Sequence, residues 1–117
     1  MKIQLYQTQF AVSEQEYVNY HDGKLSINDI PAKTAFAHVT KDIDIGSSPI
    51  PHIGEKVNDS LWPSDICEQK VVDVVFDYSE KICYITLEPF VMRKNSQLYT
   101  EFEKISELHG WKYHKMF

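Results

Sequence analysis

Arginine is almost missing from this 117-residue chain: Arg93 stands alone in a set of twelve basic and seventeen acidic residues, for a formal net charge of −5. Affinity for nucleic acid comes largely from Lys and Arg displacing counterions from phosphates. The scattered basic spots, Arg93-Lys94 and then Lys112 and Lys115, form no stripe, so nucleic-acid binding is not expected. The surplus of carboxylates reads as a solubility device.

Cysteine is equally scarce. Cys67 and Cys83 cannot make a disulfide framework, and a reducing cytoplasm would keep both as thiols. The chain has no Cys-x-x-Cys and no helical His-x-x-x-His, so no structural metal is expected. The four glycines lie far apart, which excludes a glycine-rich phosphate loop, and no cofactor is expected. Long apolar runs are missing too, and Met1–Gln7 lacks the apolar core of a secretory signal. A cytoplasmic protein with no membrane partner is the expectation.

What is present is the ordinary material of a folded domain: 43% apolar residues, of which fifteen are aromatic. No repeat or linker divides the chain, so residues 1–117 read as one α+β domain. Lys2 to Val12 alternates as a strand, with Ile3 and Leu5 on one face and Tyr6, Thr8 and Phe10 on the other. Ser13-Glu14-Gln15-Glu16 is a capping box that starts a two-turn helix, and Asp22-Gly23 ends it. Pro31 cuts off a short turn at Ser26–Asp29, after which Thr34 to Ile45 reads as a second strand.

Val71 to Leu87 reads as a β-hairpin. Centring the reversal on Ser79-Glu80 pairs Phe76 with Cys83, Val74 with Ile85 and Val72 with Leu87, which gathers six apolar side chains on a core face. The other face holds Asp73, Val75, Asp77, Ile82, Tyr84 and Thr86, a mixed surface that invites cover from a loop, helix or second subunit. Thr100-Glu101-Phe102-Glu103 is a second capping box, heading an amphipathic C-terminal helix with Leu98, Phe102, Ile105 and Leu108 on one side and Gly110 as its stop; Ser96 is an alternative start. Trp111, Tyr113 and Phe117 are candidate anchors for the tail.

These elements predict a mainly antiparallel sheet covered by one C-terminal helix, with a short N-terminal helix. Pro51-His52-Ile53-Gly54-Glu55-Lys56-Val57 followed by a hairpin resembles the SH3-like barrels, and that resemblance implies a sheet curled into a small barrel.

Chemistry is weakly signalled. Cys67 and His52 share an irregular segment but are more simply packing and surface residues. Asp42 with Asp44, and Asp73 with Asp77, are paired carboxylates whose simplest role is a solvated strand face that discourages edge aggregation. No catalytic residue is expected.

The segment 46–69 is long, irregular and rich in Pro and Gly, the kind of connection that often carries function. Within it, Asn58-Asp59-Ser60-Leu61-Trp62-Pro63 presents a Trp that either caps the core or anchors a partner. His52, Asp59, Trp62 and Tyr84 are the candidate ligand- or partner-binding residues.

Three functions fit, in descending order. The first is a non-catalytic protein-interaction factor, with homo-oligomerisation as one form of that interaction, of the accessory or inhibitory kind that bacteria and phages use. The second is a small-molecule or nucleotide-binding protein with a pocket under segment 46–69, where Trp62 stacks and His52 or Asp59 hydrogen-bonds. A small enzyme comes third.

Overall fold

The computed structural model describes residues 1–116, and its axis is strand β1 (Lys2–Val12). The odd-numbered residues from Ile3 to Ala11 are buried and the even-numbered ones half-buried, which is how a strand with apolar groups on both faces comes to lie at the centre of a sheet. Helix α1 (Glu14–His21) follows. Its capping box forms as expected: Ser13 Oγ accepts from the Glu16 N–H at 3.2 Å, and Glu16 Oε1 accepts from the Ser13 N–H at 3.1 Å. Two single 3-10 turns lead into β2 (Ala35–Asp44), antiparallel to β1.

The remaining strands are β3 (Lys56–Asn58), β4 (Glu68–Asp77), β5 (Ile82–Leu87), β6 (Phe90–Arg93) and β7 (Lys112–Lys115). Helices α2 (Gln97–Thr100) and α3 (Phe102–Leu108) precede β7. The sheet runs β3-β4-β5-β1-β2-β7, and β6 continues the line of β5 beside the second half of β1.

This corrects the expected architecture. β1 runs parallel to both β5 and β6, so the sheet is mixed rather than mainly antiparallel. It is not closed into a barrel, because the short strands β3 and β7 stand at opposite ends of the order with no pairing between them. Local turn signals determine hairpin partners only. The parallel contact arises from the long crossover through residues 46–69, which sends the chain across to β4 before β5 returns beside β1.

The single C-terminal helix is likewise two short ones. The chain breaks at Glu101 (φ −111°, ψ 17°), and Ser96 rather than Thr100 is the first cap, its Oγ accepting from the Tyr99 N–H. Phe102 and Ser106 are buried while Leu108 is left exposed, so the apolar face is narrower than the sequence pattern suggests.

The hairpin register holds for Phe76 with Cys83 and Val74 with Ile85. A bulge between Val71 and Asp73 then puts Val71, not Val72, opposite Leu87 and into the core. Phe76 stays exposed because the cover over the core face does not reach this edge, and Val72 because the bulge turns it away from that face.

The main core packs the odd-numbered face of β1 and its neighbours, including Leu5, Val39, Ile85 and Leu87, against Leu61, Trp62, Phe102 and Trp111. A smaller core on the opposite face joins Val12, Ile30 and Val91 beneath Phe10, Tyr17 and Tyr20.

Two polar residues interrupt the main core. Gln7 and Gln9 are fully buried on β1 where β5 gives way to β6. The strand break there leaves the Glu88 carbonyl without a ladder partner, and Gln7 Nε2 donates to it at 2.9 Å and to Gln69 Oε1 at 2.9 Å. Gln7 Oε1 accepts from Trp62 Nε1 at 2.8 Å and from Gln9 Nε2 at 3.0 Å. One side chain thus ties β1, β4, the β5–β6 break and the 46–69 segment together.

Replacing Gln7 with Leu leaves the Trp62 indole N–H and the Glu88 carbonyl buried without partners. Each orphaned group costs about 1–3 kcal/mol, so Gln7→Leu should lose about 2–4 kcal/mol in urea unfolding followed by tryptophan fluorescence. A loss under about 0.5 kcal/mol, the scale of an ordinary surface substitution, would show that the network is dispensable.

Candidate interaction surface

The four residues singled out from the sequence do not converge. His52 sits exposed at a loop tip, its backbone N–H donating to Glu55 Oε1 at 2.7 Å. Trp62 is only 3% exposed, its ring edge-on to Trp111 with centroids 5.5 Å apart and its N–H committed to Gln7. Tyr84 lies on the opposite face of the sheet, half-buried beside Gln4 and Val75.

Asp59 is a structural tie. Its Oδ2 accepts from Lys41 Nζ at 2.8 Å, and its Oδ1 accepts from Trp111 Nε1 at 3.0 Å and the Leu61 N–H at 2.9 Å. Burial alone would raise its pKa, but these hydrogen bonds and the Lys41 charge hold the carboxyl below its ordinary value. Leu61 and Trp62 of segment 46–69 pack into the core, while Pro63, Asp65 and Ile66 line an open depression of about 320 Å³ with Tyr17, Phe90 and Leu98.

The chemistry-bearing pairs are occupied locally as well. Asp77 accepts from the Ser79 hydroxyl and from the Ser79 and Glu80 N–H groups, which closes the hairpin turn and holds its carboxyl below the usual value. Asp42 accepts from Gln4 Nε2, and Asp44 from the Gly46 N–H. Burial pushes the Cys83 thiol up, away from thiolate chemistry. Ser60 and His109 form a pair absent from the sequence reading, with Oγ and Nδ1 2.8 Å apart. Both belong to the tie between the 58–62 loop and the end of α3. Among the described residues, no group of three or more His, Cys, Asp or Glu is arranged to hold a metal ion.

The surface that stands out is the hairpin's outer edge. Glu88 N–H donates to the Lys70 carbonyl at 2.8 Å, and the register continues through Asp73 with Thr86, Val75 with Tyr84 and Asp77 with Ile82. Antiparallel alternation therefore aims the backbone groups of Asp73, Val75 and Asp77 at β5, and those of Val74 and Phe76 outward. β3 covers only Glu68–Lys70, and the Gly54 N–H and Glu55 carbonyl take up both backbone groups of Val71. Among the described residues, nothing pairs with Val72 to Asp77 on that side.

Its side chains are unusual for an open edge. Val72, Val75, Phe76 and Tyr78 are 43%, 51%, 45% and 87% exposed, and the Phe76 and Tyr78 rings stack with centroids 6.1 Å apart. Beside them Met1, Phe76, Tyr78, Lys81 and Ile82 line an apolar depression of about 240 Å³. The larger groove, about 590 Å³ between β2, β7 and the helices, is shallow and lined by Phe36, Tyr99, Tyr113, Lys33, Lys115 and Glu103 among others.

On the uncovered face of the sheet, Tyr6, His38 and His114 stack across β1, β2 and β7, with centroids 5.0 Å and 4.6 Å apart. His38 Nδ1 is buried without a partner. His114 Nε2 lies 3.4 Å from Thr40 Oγ1. No sequence signal marks this stack, because it depends on pairing β7 with β2.

Comparison with family models, with curated proteins and with solved structures finds no match for this chain. Among the described residues, no helix is long and apolar enough to cross a membrane.

Burial, and then the neighbouring His114, lower the His38 pKa below its ordinary value of 6.5. The unfolded chain therefore binds the His38 proton more readily than the folded one, and stability falls as pH drops from about 6.5 through the lowered value. Below both values the loss is complete and constant. His38→Gln should flatten this acid limb in thermal melts taken between pH 7.5 and 5. An unchanged slope would show that the limb belongs to other groups.

Proposed function

We propose that this is a non-catalytic protein-interaction factor of the cytosol that acts by strand addition at the open edge of β4. The reading rests on one observation: Val72–Asp77 combines outward-facing backbone donors and acceptors with exposed Val72, Val75, Phe76 and Tyr78. Proteins normally blunt such an edge with charge or cover it. Here Asp73 and Asp77 supply some charge, yet four large apolar side chains remain in water beside them.

In strand addition the main-chain hydrogen bonds supply affinity and alternate side chains supply selectivity. At that edge the exposed Val72, Val75 and Phe76 flank the incoming strand and would contact its apolar side chains. The Gln7 network ties Gln69, at the start of β4, to β1 and to segment 46–69, so that end of the strand is anchored before a partner arrives. Catalysis draws no comparable support: Asp42, Asp44, Asp59 and Asp77 are engaged in turns and ties, and burial raises the Cys83 thiol.

A ten-residue peptide of alternating Thr and Val with a Lys at each end is a suitable probe. Titrated into the isotopically labelled protein, it should shift the amide resonances of Val72–Asp77 and leave α1 and β7 unchanged. Val74→Pro, which removes one outward N–H from an edge position where proline is tolerated, should reduce the response at least fivefold. Shifts centred elsewhere, or none at millimolar peptide, would overturn strand addition at β4.

A further inference from the structure

At the β7 end of the sheet, away from β4, the groove between β2, β7 and the C-terminal helices has a volume of about 590 Å³, within the range of small-molecule sites. We propose that it binds a ring-bearing phosphomonoester of nucleoside-monophosphate size, with the ring against Phe36, Tyr99 and Tyr113 and the phosphate between Lys33 and Lys115.

The aromatic wall is fixed by the core behind it. Phe36 stands edge-on to Tyr99, with centroids 4.9 Å apart, and to the buried Phe102 at 6.0 Å. Phe102 also backs Tyr113, with centroids 6.3 Å apart. Phe36, Tyr99 and Tyr113 are themselves only half-buried, and all three line the groove. A planar ligand ring can therefore meet them in stacked or edge contact without displacing the core.

The charges are sorted along the groove. Lys33 stands in the turn that leads into β2, and Lys115 pairs with Ala37 near the start of that strand. Tyr113 pairs with Val39, two residues further along. Burial, and then the nearby Glu103 and Tyr99, raise the Tyr113 pKa above its ordinary value, which places the Glu103 carboxylate on the Tyr113 side. The stretch from Ala35 to Val39 covers about 13 Å at the rise of a strand. Among the described residues, neither lysine forms an ion pair with Glu103 or with any other carboxylate. Two uncommitted ammonium groups thus share one end of the groove, and a carboxylate occupies the other.

That order selects the ligand chemistry. A phosphomonoester carries about −1.5 to −2 at pH 7, which matches two lysines. A free aromatic amino acid fits less well, because its ammonium stands beside its carboxylate and would face the lysines. At the far end Glu103 accepts a hydrogen bond from an amino group on the ring, as it would from the exocyclic amine of a nucleobase. The groove is open and both lysines are exposed, so each charge contact is modest, and the expected dissociation constant is on the order of 1 mM.

Titration of adenosine 5′-monophosphate into the isotopically labelled full chain tests the proposal. Up to about 10 mM, the nucleotide should shift the amide resonances of Phe36, Tyr99, Glu103 and Tyr113 and leave Val72–Asp77 in place. Lys33→Gln combined with Lys115→Gln, at two exposed positions, should weaken binding at least fivefold. Added salt should weaken it as well. Adenosine, which lacks the phosphate, and ribose 5-phosphate, which lacks the ring, should each bind less tightly than the nucleotide.

Inorganic phosphate binding as tightly as the nucleotide would reduce the site to an anion spot and overturn the proposal. Tyrosine binding more tightly than the nucleotide would overturn it too, as would nucleotide binding indifferent to the double lysine substitution. Shifts centred outside the groove, or none at about 10 mM, would have the same force. The groove and the β4 edge lie in different parts of the sheet, so the result with the Thr-Val peptide stands or falls separately.

Discussion

The Gln7 side chain holds the rest of the structure in register. At the point where β5 stops and β6 begins, an interior carbonyl and an indole N–H both need partners, and a buried polar group left alone there costs more than a hydrogen bond returns. Gln7 offers two donors and an acceptor, and it spends them on Glu88, Gln69, Gln9 and Trp62. Gln69 in turn donates to the Ile66 carbonyl. Through these few bonds the irregular 46–69 segment becomes a fixed wall of the core.

That wall and the C-terminal helices cover one face of the sheet, while α1 and the turns around Ile30 cover one end of the other face. The cover is asymmetric, and two areas are left over. One is the stack of Tyr6, His38 and His114, sealed by its own rings. The other is the tip and outer edge of β4, where Phe76 extends the core face past its last covering residue and the bulge leaves Val72 exposed. The proposed interaction surface is thus a direct result of where the core stops.

How much of this was legible beforehand depends on the range of each signal. The Ser13–Glu16 capping box, the hairpin's Phe76–Cys83 and Val74–Ile85 pairs, and the burial of Trp111 follow from local patterns and appear as expected. The parallel pairing of β1, the open sheet and the split of the last helix at Glu101 do not, since they depend on long-range crossover and packing. Alternation suggested Val72 for the core and could not foresee the bulge that substitutes Val71.

At the site, Tyr84 marked the half-apolar face, but the exposed partners Phe76 and Tyr78 were out of sight because Phe76 reads as core in any pattern of period two. Trp62 reads equally well as anchor or cap, and the choice depended on Gln7, fifty-five residues away. Buried glutamines have no sequence signature, since the same alternation that marks Ile3 and Leu5 as interior assigns a glutamine to solvent.

The account turns on a rigid sheet with one open edge, and hydrogen exchange read amide by amide is its most direct measure. At low micromolar concentration, where no partner is bound, the Val74 and Phe76 amides should exchange at least a hundredfold faster than those of Leu5 and Ile85. The Trp62 indole N–H should stay protected with the core. Protection of Val74 and Phe76 equal to that of Ile85 would mean that the edge is already covered, and would contradict the account.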